Sequence, residues 1–212
     1  MLFRSIEIIA PEGTILNCTY PASVVSGNTE TSPRVIDLLL RALVQAVPDR
    51  VIGQSHCAAC SGIFSGEDPD DARSHSLRRR YVSFIDVHAG GMGERPDKDG
   101  VNAIRVYVGN TGATPIELIE HTTPLTVEEW SIVPDTGGPG RWRGGCSTRR
   151  AYRVLYKEAT CTVIAERGRV APAGVLGGEA GTCFTSTVVR GDGRREILPA
   201  KGKQAVLAAG DL

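Results

Sequence analysis

The fold is decided by a stretch that reads GGMGERPDKDG over residues 90–100, NTGATPIELIEHTTPL over 110–125 and PDTGGPGRWRGG over 134–145. It is dense in Gly, Pro, Asn and Asp, yet strand-like runs interrupt it, so it is not low-complexity sequence. Glycine at this density marks backbone that turns with positive φ or passes close to another backbone. The flanking sequence supplies the strands. YVSFIDVH over 81–88 reads as a strand leading into the first glycines, and further strands are expected near 103–108, 126–133, 148–155, 159–165, 183–190 and 204–208. The chain is therefore α+β and predominantly β after residue 80.

Before the glycines, SIEII at 5–9 reads as a short strand ended by Pro11-Glu12-Gly13. The clearest helix lies near 33–47. Ser32 is placed to cap it, and Pro33 fits its first turn. Ile36, Leu39, Leu40, Leu43 and Val47 recur at helical spacing, with Arg34, Asp37, Arg41 and Gln45 between them. This amphipathic helix is expected to pack its apolar face on a sheet, with truncation of Leu39 or Leu40 strongly destabilising. Gly66 to Arg80 reads as a polar, solvated loop. Two lobes, 1–66 and 80–212, are a natural division.

The 212 residues carry 24 basic and 24 acidic side chains, a formal net charge of zero. That argues against a nucleic-acid partner bound through phosphate neutralisation and against a polybasic membrane surface. No apolar run approaches the roughly 20 residues that span a bilayer. Six cysteines do not make a dense disulfide framework, so free thiols and a cytoplasmic location are expected.

Several residues invite chemistry. His56-Cys57-Ala58-Ala59-Cys60 has no second cysteine pair to complete a zinc site, and the helix precedes rather than follows it, so buried thiols are the better reading. Gly90, Gly91 and Gly93 follow a strand but match neither the dinucleotide fingerprint nor the P-loop. They form, with Asp99 and Gly100, either a loop at a substrate site or plain architecture. Glu120 and His121 end what reads as a strand-like PIELIEH segment and are candidates for acid–base work. Arg141, Arg143, Arg149 and Arg150 cluster around Gly144-Gly145, where arginines bind carboxylates or line an interface. No G-x-S-x-G elbow is present.

Four blocks carry a resemblance: residues 11–43 (PEGTILNCTYPASVVSGNTETSPRVIDLLLRAL), the glycine region, 165–181 (AERGRVAPAGVLGGEAG) and the closing LPAKG and GDL. In this order they resemble the hydantoinase B and 5-oxoprolinase family, which includes N-methylhydantoinase B subunits and the large subunits of acetone and acetophenone carboxylases. The resemblance covers the C-terminal portion of the family pattern only, so the chain reads as truncated at both ends. It implies part of the substrate-binding subunit of an ATP-dependent cyclic-amide hydrolase, opening a lactam C–N bond after its carbonyl is activated in a partner. The alternatives are a fragment of an acetone-type carboxylase subunit or a non-catalytic assembly piece. The implied partner is a hydantoinase A-type ATP-binding subunit or region. ATP with magnesium and a divalent metal are expected there or in the region before this one, with no metal or cofactor held by this chain. Glu120, His121 and Asp86 are the catalytic candidates, and Gly90, Gly91, Gly93, Asp99, Gly100 and Arg143 are the substrate-loop candidates. His88 stands where the family more usually has a small or apolar residue before its GG, and it is assigned no role.

Overall fold

The computed structural model describes residues 7–76 and 80–212. Its elements are α1 (Ser32–Leu43), β1 (Ser61–Glu67), α2 (Asp71–Ser76), β2 (Tyr81–Val87), α3 (Ile116–Thr122), β3 (Leu125–Ile132), β4 (Thr148–Val154), β5 (Glu158–Ile164), β6 (Ser186–Val189), β7 (Arg195–Leu198) and β8 (Lys201–Ala208). The strands form an antiparallel sheet in the order β2-β1-β5-β8 and two hairpins, β3-β4 and β6-β7. The protein is α+β and helix-poor. β1 lies between β2 and β5, so the strand that closes residues 1–66 is built into the sheet of residues 80–212.

Alternation makes the core. Ala159, Cys161 and Val163 on β5 point inward at every second position, as do Ala205 and Leu207 on β8. They pack with Phe64, Val82 and Tyr152 into one cluster that also buries Ile119 of α3.

Four expectations are corrected. Residues 103–108 form no strand; Ala103 (φ 49°) and Tyr107 (φ 58°) break the extended path, leaving a single bridge between Gly90 and Ile104. Residues 7–9 belong to no regular element, and residues 5 and 6 lie outside the described residues. The stretch between β1 and β2 contains the short helix α2, with 77–79 outside the described residues. PIELIEH is helical from Ile116, not a strand.

Helix α1 exists and is amphipathic, but its packing differs from the expected one. Pro33 and Asp37 are its buried residues, whereas Leu38, Leu39 and Leu43 are 56%, 59% and 47% exposed. Its cap also differs: a π-helical turn, Gly27–Thr31, runs directly into it, so Ser32 is already helical. Ion pairs tie α1 to the residues just beyond β5, Arg34 to Glu166 and Asp37 to Arg167. No helix among the described residues is long and apolar enough to cross a membrane.

Candidate functional site

A cavity of about 790 Å³ opens between the four-stranded sheet, β4 and the glycine loops. One wall is built on an acid. Along β2, Val82 and Asp86 are the buried positions, so Asp86 occupies a place that the strand's alternation assigns to the core. A carboxylate there is tolerated only if fully partnered. β4 supplies the partners two residues apart and on one face: the Arg150 guanidinium and the Tyr152 hydroxyl both donate to Asp86. Arg150 also lies 3.8 Å from the centre of the Trp130 ring, which covers the cation with a π face. Gly62 stands opposite Asp86 on β1. His88 closes the group, its Nε2 2.9 Å from Asp86 Oδ2 and off the axis of an ideal hydrogen bond. Burial would raise the Asp86 carboxyl, but contacts with His88, Tyr152 and Arg150 outweigh it and hold the group well below the usual carboxylate range. Burial first, and then the charge of Asp86, push the Tyr152 phenol above its ordinary value. Arg150, Tyr152 and His88 all line the cavity.

A second buried acid braces the far side. Asp37 Oδ2 accepts from Arg167 Nη2 at 2.9 Å and Gln54 Nε2 at 2.8 Å, and its Oδ1 accepts from the Tyr107 hydroxyl at 2.9 Å. Arg167 adds a bond from Nε to the Ser55 carbonyl, and Gln54 Oε1 accepts from the Ala173 N–H. This knot fastens α1, the 53–56 segment and the 165–181 loop together.

Between the two acids lie the glycines. None of Gly90, Gly91, Gly93, Gly100 and Gly145 is among the positive-φ positions. What they need is closeness: a Cβ on Gly91 would run into the Gly145 carbonyl, on Gly93 into Gly53, on Gly100 into Met92, and on Gly145 into Val101. Backbone bonds lace the same segments, with Gly90 N–H donating to Ile104 O, Met92 N–H to Val101 O, Gly100 N–H to Arg143 O and Gly145 N–H to Met92 O. Gly93 N–H donates to Ser55 Oγ. These donors are engaged with one another, so the loop does not present the converging free N–H groups of a phosphate cradle. Among the described residues no group of three or more His, Cys, Asp or Glu is placed to hold a metal ion. Among the described residues, this arrangement fits neither a phosphate-bound nucleotide in this loop nor a divalent ion.

Of the sequence candidates, Asp86 is central, and Gly90 and Gly91 line the cavity. Gly93 and Gly100 are buried in the backbone lattice behind it. Asp99 and Arg143 are exposed and bind each other's loop, Arg143 N–H donating to Asp99 Oδ1 at 2.9 Å. Glu120 and His121 stand on α3, outside the lining; Glu120 Oε1 accepts from the Val127 N–H at 2.9 Å, fastening the helix to β3. Of the arginine cluster, Arg149 and Arg150 line the cavity and Arg141 and Arg143 do not.

The sequence pattern ties His56 only to its neighbouring cysteines, yet it is a cavity residue. Its ring lies beside Gly90, where a Cβ would strike it, and both ring nitrogens are buried without a hydrogen-bond partner. Burial first, then the charges of Arg105 and Arg167, lower its pKa to about 4. Burial pushes the Cys57 and Cys60 thiols up to about 12 and about 11, which keeps them protonated at neutral pH.

The model of the hydantoinase B/oxoprolinase family matches residues 2–212. The chain belongs to that family. It is 37% identical over 212 residues to an uncharacterized protein of Methanocaldococcus jannaschii, covering 100% of this chain and 35% of that one. It is 33% identical over 209 residues to a putative B-type subunit of a D-/L-hydantoinase from Pseudomonas sp. (strain NS671), covering 94% and 32%. The crystal structure of the ATP-dependent caprolactamase from Pseudomonas jessenii superposes with a TM-score of 0.75 at 26% identity, covering 99% of this chain and 36% of that one. The chain thus spans about a third of the length of these relatives.

Proposed function

We propose that the chain forms part of the substrate-binding subunit of an ATP-dependent cyclic-amide hydrolase. The observation that carries this reading is the cavity, floored by Gly90-Gly91 and walled by His88, Arg150 and Tyr152 over a buried carboxylate, in a chain of this family. Its volume suits a small ring and its substituents. Relatives are named for hydantoin and caprolactam chemistry, and both substrate types are lactams or ureides with a poorly electrophilic carbonyl. An unstrained amide resists attack by water, and phosphorylating its oxygen makes the carbon electrophilic. On this reading the activation falls to a partner, a hydantoinase A-type ATP-binding subunit or region, and metal binding to residues outside this chain. What these residues contribute is a shaped, partly charged wall that holds the ring while its C–N bond opens.

The test is reconstitution. The 212-residue chain alone should show no ATP-dependent opening of 5-oxoproline or hydantoin. Activity should appear when the remainder of the family fold and the ATP-binding partner are supplied, and Arg150→Met in the reconstituted enzyme should lower it at least tenfold. Turnover by the chain alone, or a fully active Arg150→Met assembly, would overturn the reading.

A further inference from the structure

We propose that Arg105 and His56 form an anion subsite beside the main cavity, one that grips a carboxylate through the free edge of the Arg105 guanidinium. The subsite stands apart from the lactam reading: its carboxylate belongs either to a free small acid or to a ring that carries one.

Arg105 is a half-buried cation without a counter-ion. Both of its hydrogen bonds run from Nη1, to the carbonyls of Ala59 and His88 at 2.7 Å each. Its Nε and Nη2 have no partner among the described residues. Those two N–H groups form the side-on fork of a guanidinium, the edge that matches a carboxylate bidentately. No carboxylate of the described residues pairs with Arg105; Glu30, whose charge reaches it, is paired with Lys201 at 3.0 Å. Burial, the largest influence, lowers the Arg105 pKa, whereas Arg34 and Arg150, which touch Glu166 and Asp86, are raised. A desolvated guanidinium with its fork open calls for an anion. Gly109 keeps that edge clear: a Cβ there would stand 3.3 Å from Arg105 Nε.

The surroundings suit an anion. Arg105 lines a cavity of about 100 Å³, room for several waters or one small anion. Among the described residues no acid lines it. Its exposed rim carries the Asn28 and Asn110 amides and the Thr111 hydroxyl, whose side chains are hydrogen-bonded to no described residue. On the same lining stands His56, both ring nitrogens buried and unpartnered. Neutral in either tautomer or protonated, an imidazole carries an N–H, and with neither nitrogen engaged its tautomer follows the ligand. A buried polar group that finds no partner in the chain is completed by something outside it. His56 also lines the main cavity, and Arg105 holds the carbonyl of His88 in that cavity's wall. The two cavities therefore meet at His56, so a carboxylate bound in the small one lies next to whatever the large one holds.

Nitrogen-detected NMR of the arginine side chains in the 212-residue chain tests this. Acetate should shift the Arg105 Nε resonance saturably, and chloride at equal ionic strength should not. Arg105→Lys keeps the charge and loses the fork, and Gly109→Ala crowds it. By titration calorimetry each should weaken acetate binding about tenfold, the worth of one charge-assisted hydrogen bond. Thermal unfolding verifies that both variants fold, and the wild-type titration stands without them. An Arg105 resonance unmoved by acetate and by 5-oxoproline, a shift that chloride reproduces, or a folded Arg105→Lys chain that binds acetate as tightly as the wild type would overturn the inference. Comparing 5-oxoproline with 2-pyrrolidinone, the same ring without the carboxylate, separates the two sources. A ring-borne carboxylate makes 5-oxoproline move Arg105 and Tyr152 together and bind more tightly than acetate. A free one makes it bind no more tightly than acetate with Tyr152 unmoved. Either result upholds the subsite. 2-Pyrrolidinone shifts at Tyr152 with Arg105 silent to every carboxylate would overturn the subsite and leave the lactam reading standing. Arg105 answering acetate while no ring reaches Tyr152 would do the reverse.

Discussion

Asp37 and Asp86 are both 1% exposed and both face a buried arginine, but they differ in what surrounds the pair. Around Asp37, Arg167, Gln54 and Tyr107 come from three separate segments and each donates to the carboxylate, with Gln54 and Arg167 reaching the cavity and Tyr107 behind it. Around Asp86, Arg150 and Tyr152 do the same, and His88 Nε2 lies 2.9 Å from its Oδ2. The first acid is a fastener. The second sits directly behind the cavity wall, with His88, Arg150 and Tyr152 all lining it.

The largest effects should come from breaking either pair. Removing one partner leaves the other charge buried and alone, a loss of about 3–5 kcal/mol. Asp37→Ala and Asp86→Ala should each lower stability by that amount in urea unfolding. Arg167→Met added to Asp37→Ala should recover much of the loss, because it removes the orphaned cation. The comparison sharpens in binding: among variants that remain folded, Asp86→Asn should weaken hydantoin binding and Asp37→Asn should not. Equal effects of the two on binding would erase the distinction.

Acid should separate the same two sides of the cavity. His56 has a folded pKa of about 4 against an ordinary value of 6.5, so the unfolded chain takes up a proton first. Its stabilising contribution is present above pH 6.5 and is lost as pH falls toward 4, about 3 kcal/mol over that window. His56→Leu should flatten the stability profile there. Asp86 is also depressed, so its contribution is present above the ordinary carboxylate range, near pH 4, and is lost only at still lower pH. Asp86→Asn should change the profile below pH 4 and leave its slope from 6.5 to 4 intact. A wild-type profile flat from pH 7 to 4 would contradict the buried neutral imidazole.

What the sequence reveals here divides by range. Strands β3, β4, β5 and β8 are legible because period-2 alternation is local. Asp86 is legible as an acid in a strand, but its partners Arg150 and Tyr152 lie 64 and 66 residues away, and only the pairing of sheets brings them together. α3 reads as a strand because Ile116, Glu117 and Leu118 alternate apolar and polar over a run too short to separate the two periods. Asp37 reads as part of the polar face of α1, since a buried acid and a solvated acid look the same until Arg167 is placed. The glycines announce close approach or positive φ without saying which, and the structure resolves them as close approach.

The lattice that joins the two acids should break at single glycines. Gly91→Ala and Gly145→Ala place a methyl group against a backbone carbonyl, which cannot rotate away. Each should cost about 1–3 kcal/mol, as overpacking does, and disturb the cavity floor. Gly112, where an added methyl would meet nothing within 4 Å, is the control, and Gly112→Ala should leave the melting temperature nearly unchanged. Equal melting temperatures for all three would mean that the loops are not packed as described.

The smallest effect is expected where the amphipathic pattern alone predicts one of the largest. Helix α1 carries Asp37 on one side and Leu38, Leu39 and Leu43 on another, and it is the acid that is buried. Truncating a buried leucine costs about 2–5 kcal/mol because apolar area and packing are both lost. Leu39 is 59% exposed, so little of either is at stake. Leu39→Ala should change stability by less than about 0.5 kcal/mol, an order of magnitude below Asp37→Ala on the same helix. The two variants, measured side by side by urea unfolding of the 212-residue chain, decide which face of α1 holds the fold. A loss of several kcal/mol at Leu39 with a mild Asp37→Ala would restore the apolar face as the packed one and would remove Asp37 from its place as the fastener.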